Sequence, residues 1–217
     1  MELDRVSMDC SAGVSESVFP VWKRSMDLLA AVSGLVILSP AFAVIGALIK
    51  LDSAGPVFFR QERVGFGLSM FSIYKFRTMV ADAPLQGKPL TASGDSRITR
   101  VGKFLRKTKL DEIPQLINVL RGDMTLVGPR PEVPKYVNLY REDYEEILRI
   151  RPGITDLASL KYRNESDLLA RAQDPEREYI ARVLPDKIAL AKEYVRRSSL
   201  PFDITVILKT VAKTLAG

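Results

Sequence analysis

One stretch of the chain stands apart in its pattern of apolar and polar positions. Residues 26–49, MDLLAAVSGLVILSPAFAVIGALI, carry a single charge, Asp27, at the leading edge. A run of about 24 residues is long enough for a helix to cross a hydrocarbon core of about 30 Å. Pro40 lies inside the run, where it lacks the N–H for the carbonyl four residues back and its ring crowds that carbonyl. Ser39, just before it, can turn its hydroxyl onto the preceding turn and bend the helix further. The break divides the run into arms of about 14 and 10 residues, roughly 21 and 15 Å long at helical rise, neither of which spans. Lys23 and Arg24 precede the run, and Lys50, Arg60 and Arg63 follow it. Cytoplasmic flanks are the ones enriched in Lys and Arg. A helix that dips in, kinks at Ser39-Pro40 and returns to the same face fits this pattern; an ordinary spanning helix with a proline kink fits it too. Asp27 follows Lys23 and Arg24 at helical spacing and reads as their local ion-pair partner.

Beyond the run the periods shorten. A turn cluster at 52–56 precedes a short strand at 57–59, and 61–67 reads as a second turn. Residues 69–79, SMFSIYKFRTM, alternate as a half-buried strand, with Phe71, Ile73 and Tyr74 inward and Lys75 and Arg77 on one face. Residues 81–97 form a long loop. A short basic helix is expected over 100–106. The next helix begins near Asp111 with Pro114 in its first turn. It carries Ile113, Leu116, Ile117 and Leu120 on one face and ends at Gly122. A strand at 124–127 enters the loop GPRPE, an amphipathic helix covers 133–149, and 151–153 is a turn. The remainder is helical, with breaks at Pro175, Pro185 and Pro201. The last helix, 202–215, places Ile204, Ile207, Leu208, Val211 and Leu215 on one side, either against the core or in the headgroup plane. Residues 1–18 read as a polar tail.

Composition narrows the chemistry. The 217 residues suit one domain with a membrane appendage, and net charge is +6 with a pI near 9.4. That balance suits nucleic acid, an anionic membrane surface or phosphorylated substrates, and the membrane segment favours the last two. There is no histidine, so imidazole acid–base chemistry is excluded. One cysteine, Cys10, excludes a disulfide framework and thiolate zinc sites. Any metal is therefore held by oxygen, as magnesium, manganese or calcium would be.

Two adjacent carboxylates, Asp111 and Glu112, open the helix that follows. At a helix N-terminus Asp111 should stay ionised, able to bind Mg²⁺ or attack phosphorus. The same pair also reads as an N-cap and a first-turn acid. Around it lie Lys75, Arg77, Arg97, Arg100, Lys103, Arg106, Lys107, Lys109 and Arg130, a density suited to a polyanion such as a nucleotide pyrophosphate. Pro129 and Pro131 fix the backbone on either side of Arg130. No Walker-A loop or GxGxxG is present. A non-enzymatic basic membrane protein that binds anionic lipid or nucleic acid would share the charge, but not the SP break, the DE pair or the PRP loop.

Taken in order, KRSMD, the SP pair, GPVFFRQERVG, YKFRTM, SRITRVGKFLRKTKLDEIPQLINVLRGDMTLVGPRP, RPGIT and FDITVILKT resemble the monotopic phosphoglycosyltransferases, over nearly the whole chain. The resemblance implies an α+β, mainly helical fold in three parts. These are a tail (1–18), a re-entrant membrane helix (19–50) kinked at Ser39-Pro40, and a small cytoplasmic catalytic domain (51–217) with short strands and interfacial amphipathic helices. It implies a monotopic protein on the cytoplasmic face of the bacterial inner membrane. The implied activity moves a sugar 1-phosphate from a UDP-sugar to polyprenyl (undecaprenyl) phosphate, giving a polyprenyl-diphosphate sugar and UMP. The implied nucleophile is Asp111, through an aspartyl-phosphosugar intermediate, with Glu112 as its partner and Mg²⁺ as cofactor held by both. Lys75, Arg106, Arg130 and Arg163 match positions that hold substrate phosphate or support the dyad. Arg77 is grouped with them, and Asp186 matches a further family acid. Nucleic acid is not an expected partner, and the oligomeric state, homodimer included, stays open. Many members read PGITG where this chain reads PGITD, with Asp156 at the departure; sugar identity is left open there.

Overall fold

The computed structural model describes residues 20–83 and 95–215. The tail with Cys10 and most of the 81–97 loop lie outside the described residues. The first element, α1 (Val21–Asp52), is a helix of 32 residues that continues through Pro40. The two-arm division expected at Pro40 is therefore not a break in the helix. The reason is local: the Ser39 hydroxyl donates to Val36 O at 2.8 Å, the carbonyl that Pro40 cannot serve.

Strands β1 (Phe58–Val64) and β2 (Met70–Phe76) form an antiparallel hairpin in register from Phe58 opposite Phe76 to Val64 opposite Met70. Gln61-Glu62-Arg63, read above as a turn, belong to β1, because every residue of that strand has a partner on β2. The turn proper is shorter, at Phe66–Leu68. Helix α2 (Arg100–Thr108) starts at Thr99, whose hydroxyl accepts from Gly102 N.

Asp111 and Glu112 do not open the following helix. They sit in a one-turn 3-10 segment, Leu110–Glu112, and α3 (Gln115–Arg121) begins after Pro114 with no capping side chain. The N-cap alternative for Asp111 is thereby set aside. Gly122 ends α3 with φ 88°, as expected of a left-handed cap. The inner face of α3 differs from the expected apolar one. Gln115, Asn118 and Val119 are buried, while Leu116, Ile117 and Leu120 are half-buried, Leu116 and Leu120 packing against the core around Ala31, Val119 and Met124. Asn118 explains this: it accepts from Tyr74 N (2.9 Å) and donates to Ser72 O (2.8 Å), pairing α3 with the free edge of β2.

Strand β3 (Thr125–Val127) runs parallel to β4 (Gly153–Thr155), where the sequence suggests only a turn. Gly153 permits this close approach, since a Cβ there would lie 2.1 Å from Gly128 N. The crossover between them holds α4 (Pro134–Leu139) and α5 (Arg141–Ile147), two helices rather than one, divided at Tyr140. Then come α6 (Leu157–Lys161), α7 (Glu165–Ala170), α8 (Pro175–Glu178), α9 (Leu184–Arg197) and α10 (Leu200–Leu215). Pro175, Pro185 and Pro201 each fall in a first helical turn, where a proline is tolerated.

Both ends of α1 meet the same body. Near its start, Lys23 Nζ donates to Val127 O and Tyr194 OH, both at 3.0 Å, and pairs with Asp203 Oδ2. Arg24 bonds the last carbonyls of α3. Asp27 accepts from Thr125 Oγ1 (2.6 Å) and Leu126 N (3.1 Å), so it pins α1 to β3 rather than serving only its neighbours on the helix. At the far end, Asp52 accepts from Val101 N at 3.0 Å, capping α2. Ile45 and Ile49 pack with Phe76 and Leu105. The outer face, with Val32, Val36, Ile37, Val44 and Leu51, is exposed and apolar. Helix α10 divides similarly: Asp203 and Val206 face the body, and Ile204, Leu208 and Val211 face outward.

Candidate active site

A cavity of about 1590 Å³ lies between the hairpin, α2, the 3-10 turn and helices α6 and α10. Its wall includes Lys75, Arg106, Asp111, Glu112, Arg130 and Arg163. Elements distant in sequence bring these together. Lys75 comes from the end of β2, the dyad from the turn after α2, Arg130 from the loop after β3, and Arg163 from the turn after α6.

Glu112 is the anchor. Its Oε1 accepts from Lys75 Nζ at 2.8 Å and from Arg130 Nη2, and its Oε2 accepts from Arg130 Nη1 at 3.2 Å. Burial alone would raise its pKa, but Arg130 and Lys75 carry it well below the usual carboxylate range. Glu112 in turn raises Arg130. Burial pulls Lys75 down, against the attraction of Glu112.

Asp111 differs from its neighbour. It is buried, and its Oδ1 has no hydrogen-bond partner. Burial pushes its pKa up, against the pull of Lys75 and with the repulsion of Glu112 added. The expectation that a helix N-terminus keeps it ionised loses its footing, because α3 starts later. A buried acceptor without a donor is costly unless a ligand or cation completes it. Among the described residues no group of three or more carboxylate, cysteine or histidine side chains could hold a metal. The Asp111 oxygen nonetheless fits Mg²⁺, which is commonly held by one or two carboxylates plus substrate phosphates. Glu112, with both oxygens engaged, fits it less well.

The other expected residues divide. Arg106 lines the cavity and is steadied by its Nε bond to Thr78 Oγ1 at 2.8 Å. Arg77 also lines the cavity, but its hydrogen bonds go to the fold. It is 5 % exposed and donates to Ser53 O at 2.6 Å and Ser53 Oγ at 3.0 Å, clasping the end of α1. Asp186 stands outside the cavity wall, accepting from Lys161 Nζ (2.9 Å) and Tyr162 OH (2.8 Å) beside Arg163. It holds the turn that carries Arg163. Ser39 and Pro40 take no part in the dyad's bonds and shape α1 only.

Sequence reading missed the brace behind Arg130. Asp156, 2 % exposed, accepts from Ser159 N (2.7 Å) as the N-cap of α6 and from Arg130 N (3.2 Å). The DxxS spacing was a legible capping signal; the bond to Arg130 was not. A second cluster, partly in the cavity wall and partly behind it, was also missed. There Glu132 accepts from Arg63 Nη1 (3.1 Å) and Tyr179 OH (2.6 Å), and Lys187 pairs with Glu165.

Comparison with known proteins supplies an independent line. Residues 18–217 match the family described as bacterial sugar transferase. The chain is 39% identical, over 92% of its length, to a UDP-N-acetylgalactosamine-undecaprenyl-phosphate N-acetylgalactosaminephosphotransferase of Aeromonas hydrophila, and spans 45% of that protein. It is 36% identical, over 88% of its length, to a UDP-glucose:undecaprenyl-phosphate glucose-1-phosphate transferase of Escherichia coli, spanning 39% of it. It is 38% identical over 90% of its length to the exopolysaccharide production protein PSS of Rhizobium leguminosarum bv. phaseoli, and covers 96% of that protein.

Proposed function

The chain belongs to the bacterial sugar transferase family, and from that premise we propose that it transfers a sugar 1-phosphate from a UDP-sugar to undecaprenyl phosphate. Asp111 is the nucleophile. One of its oxygens forms a bond to the β-phosphorus, the bond to the bridging oxygen breaks, and UMP leaves. The acceptor phosphate then attacks the same phosphorus, Asp111 is released, and a polyprenyl-diphosphate sugar results. The observation that carries this reading is the orphaned, buried carboxylate of Asp111 beside a neighbour whose charge is already answered. Phosphoryl transfer depends on positioning and on neutralising charge, and needs no imidazole. Lys75 and Arg130, held at fixed places by Glu112, present positive charge where the donor's phosphates would lie. Mg²⁺, held by Asp111 with substrate oxygens, would supply further neutralisation.

The membrane arrangement is part of the proposal. Helix α1 enters and leaves from the cytoplasmic face, bending in the lipid around Ser39-Pro40 with its helical path unbroken. Attachment of both its ends to one charged body supports this, since a spanning helix would put those ends on opposite sides of the bilayer. The exposed apolar faces of α1 and α10 give the lipid contact. Such an anchor brings a water-borne nucleotide and a lipid-borne phosphate to one boundary.

The test is UMP release. Purified protein with Mg²⁺, undecaprenyl phosphate and either UDP-N-acetylgalactosamine or UDP-glucose should release UMP in turnover amounts only when acceptor is present. Release of UDP in place of UMP would refute the phosphosugar transfer.

A further inference from the structure

Two described non-glycine residues have left-handed backbones, Leu68 (φ 62°) and Lys109 (φ 59°). Leu68 has a packing reason, since its side chain lies against the core around Tyr136 and Ile147. Lys109 has no such reason. It ends α2 with ψ 14°, donates its N–H to Arg106 O (3.2 Å) and accepts from Glu112 N (3.3 Å). Any backbone could make those bonds, and glycine would make them without a Cβ penalty, as Gly122 does at the end of α3. Nor is the charge needed by the helix dipole, because Arg106 and Lys107 already occupy the last turn of α2. A side chain kept where its backbone is disfavoured points to a use for that side chain.

The use is visible in its surroundings. The Lys109 side chain is exposed and lines the cavity with Asp111 two residues on. Lys75 and Arg130 are bonded to Glu112, and Arg106 is bonded through Nε to Thr78. Among the described residues the Lys109 ammonium has no hydrogen-bond partner, so a cation beside the orphaned carboxylate is available to a ligand.

We propose that Lys109 is a substrate-phosphate ligand, a cation placed by its left-handed backbone to receive the donor's diphosphate next to Asp111. This rests on the UDP-sugar reading above and adds a residue to it. Strain and charge make opposite predictions for one substitution, which separates a ligand from a mere turn residue. Lys109→Gly removes both, Lys109→Ala removes the charge alone, and Lys109→Arg keeps both.

The experiment measures UDP binding at equilibrium, donor KM and kcat, and melting temperature for the full chain and these three variants. Lys109→Ala and Lys109→Gly should each weaken UDP binding and raise donor KM by about tenfold, as loss of one charge-assisted contact does. Lys109→Arg should stay within about twofold in binding. Lys109→Gly should melt about 2 °C higher than the wild type while binding more weakly. UDP binding in Lys109→Ala equal to the wild type overturns the proposal, and so does a loss in Lys109→Arg as large as in Lys109→Ala. If the wild type binds UDP through Lys109 yet turns over neither sugar nucleotide, the transfer reading fails and this assignment stands.

Discussion

Two buried charge clusters share one body, and they are built differently. At the start of α1, Lys23 meets Asp203, Tyr194 OH and Val127 O, so one ammonium joins α1, β3, α9 and α10. Both Asp203 oxygens are engaged, by Lys23 and by Tyr194 OH at 2.6 Å. Around the dyad, Glu112 is saturated by two cations, but Asp111 beside it is left with an unmet oxygen. A closed cluster fixes structure; an open one holds a place for something that arrives. The difference separates the residues that keep the fold from those that do chemistry, although both groups are charged and buried.

The largest effect should come at the open cluster. Asp111→Asn should reduce UMP release by at least about a thousandfold, since the amide is no nucleophile. Its melting temperature should stay level or rise, because a buried carboxylate without a donor is removed. A Tm loss of many degrees would put Asp111 with the structural cluster. The closed cluster should respond the other way. Lys23→Met strands Asp203 and should cost about 3–5 kcal/mol of stability, read by chemical denaturation, whereas Lys23→Met with Asp203→Leu should recover much of it. Residual kcat per folded molecule should stay near wild type in both.

Smaller effects mark the boundary between the two. Arg130→Lys loses the two-pronged grip on Glu112 and should lower kcat by about ten- to a hundredfold with little change in Tm. Glu132 lies behind the wall and should behave structurally. Burial works to raise its pKa, but Arg63 and Lys187 bring it below its ordinary 4.5. A carboxyl lowered on folding adds stability that is fully present above 4.5 and is lost as pH falls through the lower folded value. Glu132→Gln should therefore cost about 1 kcal/mol near neutral pH and flatten the decline of stability below pH 4.5. An unchanged acid limb would contradict the assignment.

Much of this was legible in the chain. The apolar run, the basic helix after the loop, the Gly122 cap and the DE pair each have a local signature, and the structure keeps them. What was not legible needed a partner from elsewhere. Gln61 to Arg63 look like a turn until β2 pairs with all of β1. Asn118 looks like a surface position until β2 needs an acceptor and a donor at its edge. Arg77 gives no hint of its bonds to Ser53 at the end of α1, and Lys23 gives none of Asp203, 180 positions away. Within the site, the acids were readable as a pair, but their unlike roles were not. That distinction depends on Arg130 and Lys75 reaching Glu112 and leaving Asp111 open.

The most direct test of that distinction is the intact mass of the protein after exposure to UDP-sugar and Mg²⁺ with acceptor withheld. The account predicts an added sugar phosphate that maps to Asp111, is absent from Asp111→Asn, and is discharged when undecaprenyl phosphate is added. An unmodified chain under conditions where product forms once acceptor is supplied would contradict it, as would an adduct mapping to Glu112.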